Sequence, residues 1–154
     1  MLGRLAKWLR LLGYDTLYFT QIEDSVLLRI AREENRILLT RDTRLVKIRE
    51  ISTFLLLADN DPFKQLKKVI TSFHLFTVEQ VDSFLNGRVN FPIHSRCSLC
   101  NSVLINIPKE EARGSVPEYV YSTSIHFKKC SECIKFYWEG THRTNLINKL
   151  KDIL

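Results

Sequence analysis

The chain has 154 residues, a formal net charge of +6 and a hydrophobic fraction of 45%. This length suits one compact domain, or a domain of about a hundred residues with a small module attached. The sequence has no apolar run of about twenty residues and no secretory leader, which excludes a membrane-spanning helix and argues against export. The basic charge favours a polyanionic partner, most plausibly a nucleic acid, although a merely basic soluble protein stays an open alternative.

Helical and strand-like patterns alternate over the first forty residues. Apolar residues at helical spacing between Leu2 and Leu12 predict a first helix, which ends at Gly13. Residues 16–19 then have the pattern of a short buried strand. A second helix is predicted to open at Asp24, and residues 37–40 form a continuous apolar run of the kind found in doubly covered parallel strands.

The same alternation continues to about residue 87. We predict a short helix over residues 45–49, a strand over 53–57, a helix that opens with Asp61-Pro62 and another helix over 78–85. Strands that alternate with helices predict an α/β domain over residues 1–87, with a parallel sheet and flanking helices. Domains of this type usually begin with a strand of the sheet, whereas this chain begins with a helix.

The second half of the chain has a different pattern. Residues 88–96 are predicted to be a polar linker, and residues 97–142 contain β-favouring stretches at 103–105 and 119–121. Residues 143–154 have the pattern of a final amphipathic helix. A module of this size buries too little apolar surface to fold alone, so we expect a metal ion to supply its folding energy.

All four cysteines of the chain occur in two identical pairs, Cys97-x-x-Cys100 and Cys130-x-x-Cys133. Two such turns supply the four sulfur ligands of a tetrahedral structural zinc ion. Disulfides would need an oxidising compartment, and a redox C-x-x-C motif is expected once rather than twice. We therefore predict a structural Zn²⁺ with all four cysteines as ligands, in a cytoplasmic protein.

Acidic residues follow the predicted strands of the first domain. Ligands of open parallel sheets bind beyond the carboxyl ends of the strands, and Asp24, Asp42, Asp59 and Asp61 fall there. Carboxylate oxygens suit Mg²⁺ or Mn²⁺, and such ions can activate water against a phosphodiester. Each of these aspartates could instead cap a helix or turn, and the sequence leaves that alternative open.

Basic residues accompany this acidic set. Arg4, Lys7 and Arg10 share one face of the first predicted helix, and Arg41 and Arg44 flank the aspartate that follows residues 37–40. Both groups could hold phosphates. The first could equally be a solvated helix face, and the second could simply neutralise neighbouring carboxylates.

Three segments and the two cysteine pairs, in a fixed order, carry a resemblance to a known family. Residues 1–16 read MLGRLAKWLRLLGYDT, residues 36–42 read RILLTRD, and residues 137–142 read YWEGTH, with the two cysteine pairs before the last of these. This set resembles the mut-7 C-terminal RNase domain family, whose members are PIN-like domains with a zinc ribbon attached. The resemblance covers nearly the whole chain.

The resemblance implies a PIN-like α/β fold, an RNA partner and metal-dependent hydrolysis of RNA. It assigns Asp24 and Asp42 to the acidic cluster that holds a catalytic Mg²⁺ or Mn²⁺, with Asp59 as a weaker member. It makes the four cysteines zinc ligands, and it places three basic residues near the RNA phosphates: Arg4, Lys7 and Arg41. It leaves the RNA substrate, the endonucleolytic or exonucleolytic mode and homo-oligomerisation open.

The family pattern also includes a strand that ends in an aspartate just before the Met-Leu-Gly stretch. This sequence begins at Met1, so the strand and its aspartate are not in it. Hard divalent ions are held by few protein oxygens, so the lack of one ligand would weaken the site. We therefore expect either a start upstream of Met1 or, as the alternative function, a zinc-ribbon protein that binds RNA without cleaving it.

Overall fold

The computed structural model of the chain describes residues 2–47, 53–85, 95–138, 140, 148 and 150–152. It has a mixed α/β architecture with a two-stranded parallel sheet, flanking helices and a three-stranded antiparallel sheet, which confirms the predicted fold class. The chain divides into two compact units, Met1–Leu5 with Tyr18–Leu75 and Ala6–Leu17 with Phe76–Leu154. Most of the predicted linker at 88–96 lies outside the described residues, so the domain boundaries at 87 and 97 stay predictions.

The first helix belongs to both units, because it begins in the first and ends in the second. The elements of the first unit follow the predicted order along the chain. They are α1 (Gly3–Leu11), α2 (Asp24–Glu33), β1 (Leu38–Thr40), a short 3₁₀ turn (Leu45–Lys47), β2 (Phe54–Leu56) and α3 (Pro62–Phe73). Strands β1 and β2 are parallel, with Leu38 opposite Phe54 and Thr40 opposite Leu56.

Local sequence explains where α3 begins and which face it buries. The Asp61 side chain accepts a hydrogen bond from the Phe63 N–H at 2.7 Å, and Pro62 occupies the first helical position. Both features satisfy or remove backbone donors that a helix start would leave unpaired. Leu66 and Ile70, four residues apart, are buried and supply apolar surface to the core of the first unit.

The second unit contains the antiparallel sheet that carries the cysteines. After the end of α1 its elements are α4 (Val78–Leu85), β3 (Leu104–Ile107), a 3₁₀ turn (Lys109–Ala112), α5 (Glu118–Thr123), β4 (Phe127–Cys130) and β5 (Phe136–Trp138). The strand order is β3-β4-β5, and Leu104 lies opposite Cys130. Phe127 is 2% exposed and packs in a small apolar core with Ala112, Val116 and Val120.

The predicted strand over residues 16–19 is not formed. This segment belongs to no sheet among the described residues, and Leu17, Tyr18 and Phe19 are each about two-fifths exposed. The backbone N–H of Thr16 donates instead to a side chain, Oδ1 of Asn101, at 3.0 Å. The apolar pattern predicted burial, but a strand also needs a neighbouring strand to accept its backbone hydrogen bonds.

The β-favouring stretch 119–121 is also not a strand, because it lies within α5. The helix follows Pro117, whose carbonyl accepts the N–H groups of Val120 and Tyr121 at 2.9 and 3.0 Å. Proline pre-sets a backbone angle that suits a helix start, and Glu118 is acidic in the first turn. These start signals, together with burial of Val120 in the apolar core, outweighed the β propensity of the two tyrosines.

Little of the predicted final helix over residues 143–154 is described. Residues 148 and 150–152 are helical, Leu150 is buried, and Lys151 Nζ lies 2.6 Å from Asp82 Oδ1. The other residues of that prediction lie outside the described part of the chain. No helix in the described part is long and apolar enough to cross a membrane.

Candidate functional site

The two cysteine pairs come together at one end of the antiparallel sheet. The Sγ atoms of Cys97, Cys100, Cys130 and Cys133 all lie within 4.8 Å of one another. Across the pairs, Cys97 is 3.3 Å from Cys133 and Cys100 is 3.3 Å from Cys130. Zinc–sulfur bonds of about 2.3 Å place the corners of a tetrahedron about 3.8 Å apart, so this cysteine cluster could hold a zinc ion.

Both cysteine pairs sit on the same backbone turn. The carbonyl of Cys97 accepts the N–H of Asn101, and the carbonyl of Cys130 accepts the N–H of Ile134, both at 3.0 Å. The residue that closes each turn is left-handed, with φ of 74° at Asn101 and 59° at Ile134. Asparagine tolerates this conformation, whereas a β-branched residue is strained there. Closing the second turn therefore costs the chain some backbone strain.

The hydroxyl group of Tyr137 on β5 braces the first turn. It lies 3.2 Å from Cys97 Sγ and accepts the N–H of Ser98 at 3.0 Å. Burial alone would raise the pKa of Cys97. The Tyr137 hydroxyl and the backbone N–H groups of Cys100 and Leu99 outweigh it and lower the pKa to about 6. Thiolate is the form that ligates a metal, so these contacts prepare Cys97 for zinc.

Arg10 connects the end of α1 to the first cysteine turn, within the second unit. Its Nη1 donates to the carbonyls of Leu99 at 2.7 Å and Ser98 at 3.3 Å, and its Nε donates to the carbonyl of Thr16 at 2.8 Å. The side chain is only 6% exposed. Arg10 therefore does not belong to a solvated or phosphate-binding helix face, as the sequence had suggested, because it is buried and donates to the backbone of the turn and of Thr16.

Asn101 makes a second connection between the same two segments. Its Oδ1 accepts the N–H of Thr16, and its Nδ2 donates to Asp15 Oδ1 at 2.6 Å. Arg96 donates to the Asn101 carbonyl at 3.0 Å and lies 3.8 Å from the Asp15 carboxylate. The side chain and backbone of one residue thus close the cysteine turn and hold the segment that follows α1.

We expect Asn101→Ala to destabilise the zinc-loaded chain by about 2–4 kcal/mol, from left-handed strain and a partly buried Thr16 N–H left without Asn101 Oδ1. Asn101→Gly relieves the strain but not the lost hydrogen bonds, so it should cost about 1 kcal/mol less. Urea unfolding measures both values. Asn106→Ala, at an exposed asparagine on β3, is the matched control. Two Asn101 variants as stable as this control would contradict the bracing role.

Asp42 follows β1 and is held by Arg44. Its Oδ1 accepts the backbone N–H of Arg44 at 2.8 Å, and its two oxygens accept the guanidinium Nε and Nη2, the latter at 2.7 Å. These hydrogen bonds lower the pKa of Asp42 to about 2. The group is therefore ionised throughout the neutral range. Asp42 thus caps the turn after β1, which is the alternative that the sequence left open, and its carboxylate is charged in this role.

Asp24 and Asp59 occupy different local settings. Asp24 is exposed in the first turn of α2, whose N-cap is Glu23, so Asp24 does not cap its helix. Asp59 accepts the N–H of Asp61 at 2.9 Å and lies 3.7 Å from Lys64 Nζ. The hydrogen bond from the Asp61 backbone, followed by the charge of Lys64, lowers the pKa of Asp59.

The three candidate carboxylates do not gather as the cysteines do. In the described residues, the cysteine cluster is the single group of three or more Cys, His, Asp or Glu side chains close enough to hold a metal ion. The catalytic assignment of Asp24, Asp42 and Asp59 therefore stays a prediction. Of the predicted phosphate-binding residues, Arg4 and Lys7 are exposed on α1, and Arg41 is partly buried.

The aromatic stretch near the C-terminus has a structural role where it is described. Tyr137 braces the first cysteine turn, and Trp138 packs against the apolar core around Phe127. Most of residues 139–143 lie outside the described part of the chain. Sequence reasoning missed the roles of Arg10 and Asn101. The asparagine directly after Cys97-x-x-Cys100 was a usable signal, because that position closes the turn in a left-handed conformation.

Comparison with known proteins gives one match. The family described as the Mut7-C RNAse domain matches residues 1–150. No curated protein and no solved structure matches the chain.

Proposed function

This chain belongs to the Mut7-C RNAse domain family, and we propose on that basis that it is a ribonuclease that hydrolyses RNA phosphodiester bonds with the help of a divalent metal ion. The observation that carries the proposal is the family match, which covers residues 1–150 of the 154. The net charge of +6 supports a polyanionic substrate.

Asp42 and Asp24 are the residues that would hold the catalytic ion. Arg44 donates hydrogen bonds to Asp42, and these bonds, then the charge of Asp42 and more weakly that of Asp24, raise the pKa of Arg44. A cationic group is therefore already paired with Asp42, and carboxylate oxygens suit Mg²⁺ or Mn²⁺. Such an ion supplies Lewis acidity toward the phosphodiester and lowers the pKa of water.

The other predicted residues take supporting roles in this proposal. Asp59, at the end of the neighbouring strand, is the weaker carboxylate candidate. Arg41, Arg4 and Lys7 hold RNA phosphates, since a guanidinium or ammonium neutralises a phosphate and releases its counterions. Asp42 is ionised throughout the neutral range, because its pKa is lowered to about 2, so it need not lose a proton before it binds an ion.

The cysteine cluster binds a structural Zn²⁺ in this proposal. Four sulfur ligands complete a tetrahedron and leave no position for substrate, so the zinc ion stabilises the antiparallel sheet and takes no part in the chemistry. The sheet that it stabilises contributes to RNA binding. The cytoplasmic location, homo-oligomerisation and the endonucleolytic or exonucleolytic mode stay predictions or open points.

The second candidate function is RNA binding without cleavage. One observation favours it: in the described residues both oxygens of Asp42 are used by Arg44, Asp59 is paired with Lys64, and no trio of carboxylates forms. Binding of this kind would be strongly salt-dependent and would not need a divalent ion.

RNA cleavage by the zinc-loaded full chain, with Mg²⁺ or Mn²⁺ either added or withheld, separates the two functions. Divalent ions must be withheld rather than chelated, because a chelator would also remove the zinc. Cleavage that appears only with the added ion supports the ribonuclease. Salt-sensitive RNA binding with no cleavage under either condition would overturn the ribonuclease in favour of the binding protein.

A further inference from the structure

The guanidinium of Arg44 donates to both oxygens of the Asp42 carboxylate. Its Nε lies 3.1 Å from Oδ1 and 3.2 Å from Oδ2, and its Nη2 lies 2.7 Å from Oδ2. Guanidinium and carboxylate match in this forked geometry, which makes the contact more specific than a point charge would. A metal ion that approached Asp42 from the side of Arg44 would need the same oxygen lone pairs that the guanidinium uses.

The same pair is easily opened. The Arg44 side chain is 85% exposed and that of Asp42 is 29% exposed. Exposed ion pairs contribute little net stability, because water screens them and long side chains lose freedom when they are fixed. The backbone N–H of Arg44 still donates to Asp42 Oδ1 when the guanidinium leaves. Release of the guanidinium therefore keeps the carboxylate in place.

We propose that Arg44 is an internal counter-ion that competes with the divalent metal ion for Asp42 and must move away before the ion binds. This inference rests on the proposed ribonuclease function, because it concerns the metal site of that function. Arg44 is a positioning residue here. It holds the Asp42 carboxylate in place when no ion is bound, and it sets the affinity for the ion by competition.

Mn²⁺ binding to the zinc-loaded full chain tests the competition without any activity assay. Free Mn²⁺ is measured by electron paramagnetic resonance in the wild type and in Arg44→Gln. We expect Arg44→Gln to bind Mn²⁺ about two- to five-fold more tightly, the range that an exposed competing ion pair implies. Arg44→Lys should lie between the two, because lysine keeps the charge but not the forked contact.

A matched control separates competition from general charge. Arg36→Gln removes the same charge from the same unit but releases a different carboxylate, Glu34, which accepts Arg36 Nε at 2.6 Å. We expect a smaller gain in Mn²⁺ affinity from Arg36→Gln than from Arg44→Gln. Equal gains in the two variants would overturn the counter-ion role while leaving the ribonuclease proposal standing.

Asp42→Asn distinguishes failure of this inference from failure of the proposed function. The Mn²⁺ affinity that Arg44 modulates should be lost in Asp42→Asn and in the Arg44→Gln, Asp42→Asn double variant. If Asp42→Asn leaves Mn²⁺ binding unchanged, the counter-ion role is overturned because no ion binds at Asp42. RNA cleavage by the wild type then decides independently whether the ribonuclease proposal survives with another metal site.

Discussion

Cys97→Ser is expected to abolish zinc binding and to unfold the antiparallel sheet of the second unit. Cys97 is fully buried, and its Sγ lies 3.3 Å from that of Cys133. The apolar core beside the cysteines is small, so little else holds these strands together. Structural zinc supplies about 10–16 kcal/mol to small zinc modules, and a serine hydroxyl is a poor substitute for a thiolate.

Metal content and amide hydrogen exchange measure this effect. We expect the zinc to fall from one equivalent to none and the protection of β3, β4 and β5 to be lost. The Thr16 amide, which donates to Asn101, should lose protection at the same time. Ser131→Ala, an exposed change in the second cysteine turn, is the control and should keep both zinc and protection. A Cys97→Ser protein with stoichiometric zinc and protected strands would contradict the assignment.

Asp42→Asn is expected to reduce divalent-dependent RNA cleavage by more than about 100-fold while the fold is retained. Loss of an outer partner of a metal ligand already costs 10–100-fold, and Asp42 is proposed as a ligand itself. Asparagine keeps the Oδ1 atom that accepts the Arg44 N–H, so the turn after β1 should persist. Cleavage rates and circular dichroism of the same preparation measure the two effects.

Asp61→Asn is the matched control for this experiment. It removes one carboxylate from the end of the neighbouring strand, and asparagine caps α3 about as well as aspartate does. Cleavage should be retained in Asp61→Asn. Asp24→Asn should behave like Asp42→Asn, and Asp59→Asn decides whether the weaker candidate takes part. Cleavage at the wild-type rate by a folded Asp42→Asn protein would remove Asp42 from the mechanism.

The pKa of Asp42 sets how cleavage should respond to acid. Because the pKa of Asp42 is lowered in the folded chain, the ionised carboxylate stabilises the fold fully above pH 3.8, the ordinary pKa. This stabilisation is lost as the pH falls toward 2. A loss of cleavage between pH 7 and pH 5 would therefore indicate protonation of a group other than Asp42. This follows from the Arg44 contacts and not from burial, since burial alone would raise the pKa of Asp42.

The sequence predicted the elements whose signals are local. The apolar spacing of α1, the Asp61-Pro62 start of α3 and the apolar run of β1 each depend on residues within one or two turns, and each prediction is confirmed. Predictions failed at residues 16–19 and 119–121, where apolar and aromatic residues indicated strands. Whether such a stretch becomes a strand depends on a hydrogen-bonding neighbour and on the surface that it buries.

In the cysteine cluster, too, one part of the site could be predicted from local sequence and another part depends on tertiary contacts. Spacing alone predicted that Cys97, Cys100, Cys130 and Cys133 would share a metal ion, because a C-x-x-C turn fixes two sulfurs by local geometry and zinc needs four. The structure brings the four together. Spacing could not show that Tyr137 would prepare Cys97, since that contact spans 40 residues and depends on the register of β4 and β5.

The sequence by itself determined the family, the paired cysteines and the order of the main helices and strands, because motif spacing and short-range periodicity are written along the chain. Only the tertiary structure decided what Arg10 and Asn101 do. The contacts by which they join the segment of α1 to the first cysteine turn span 85 to 89 residues, and the arginine that looked like a surface residue is buried there. A buried donor must find an acceptor, and which one it finds depends on how distant segments pack.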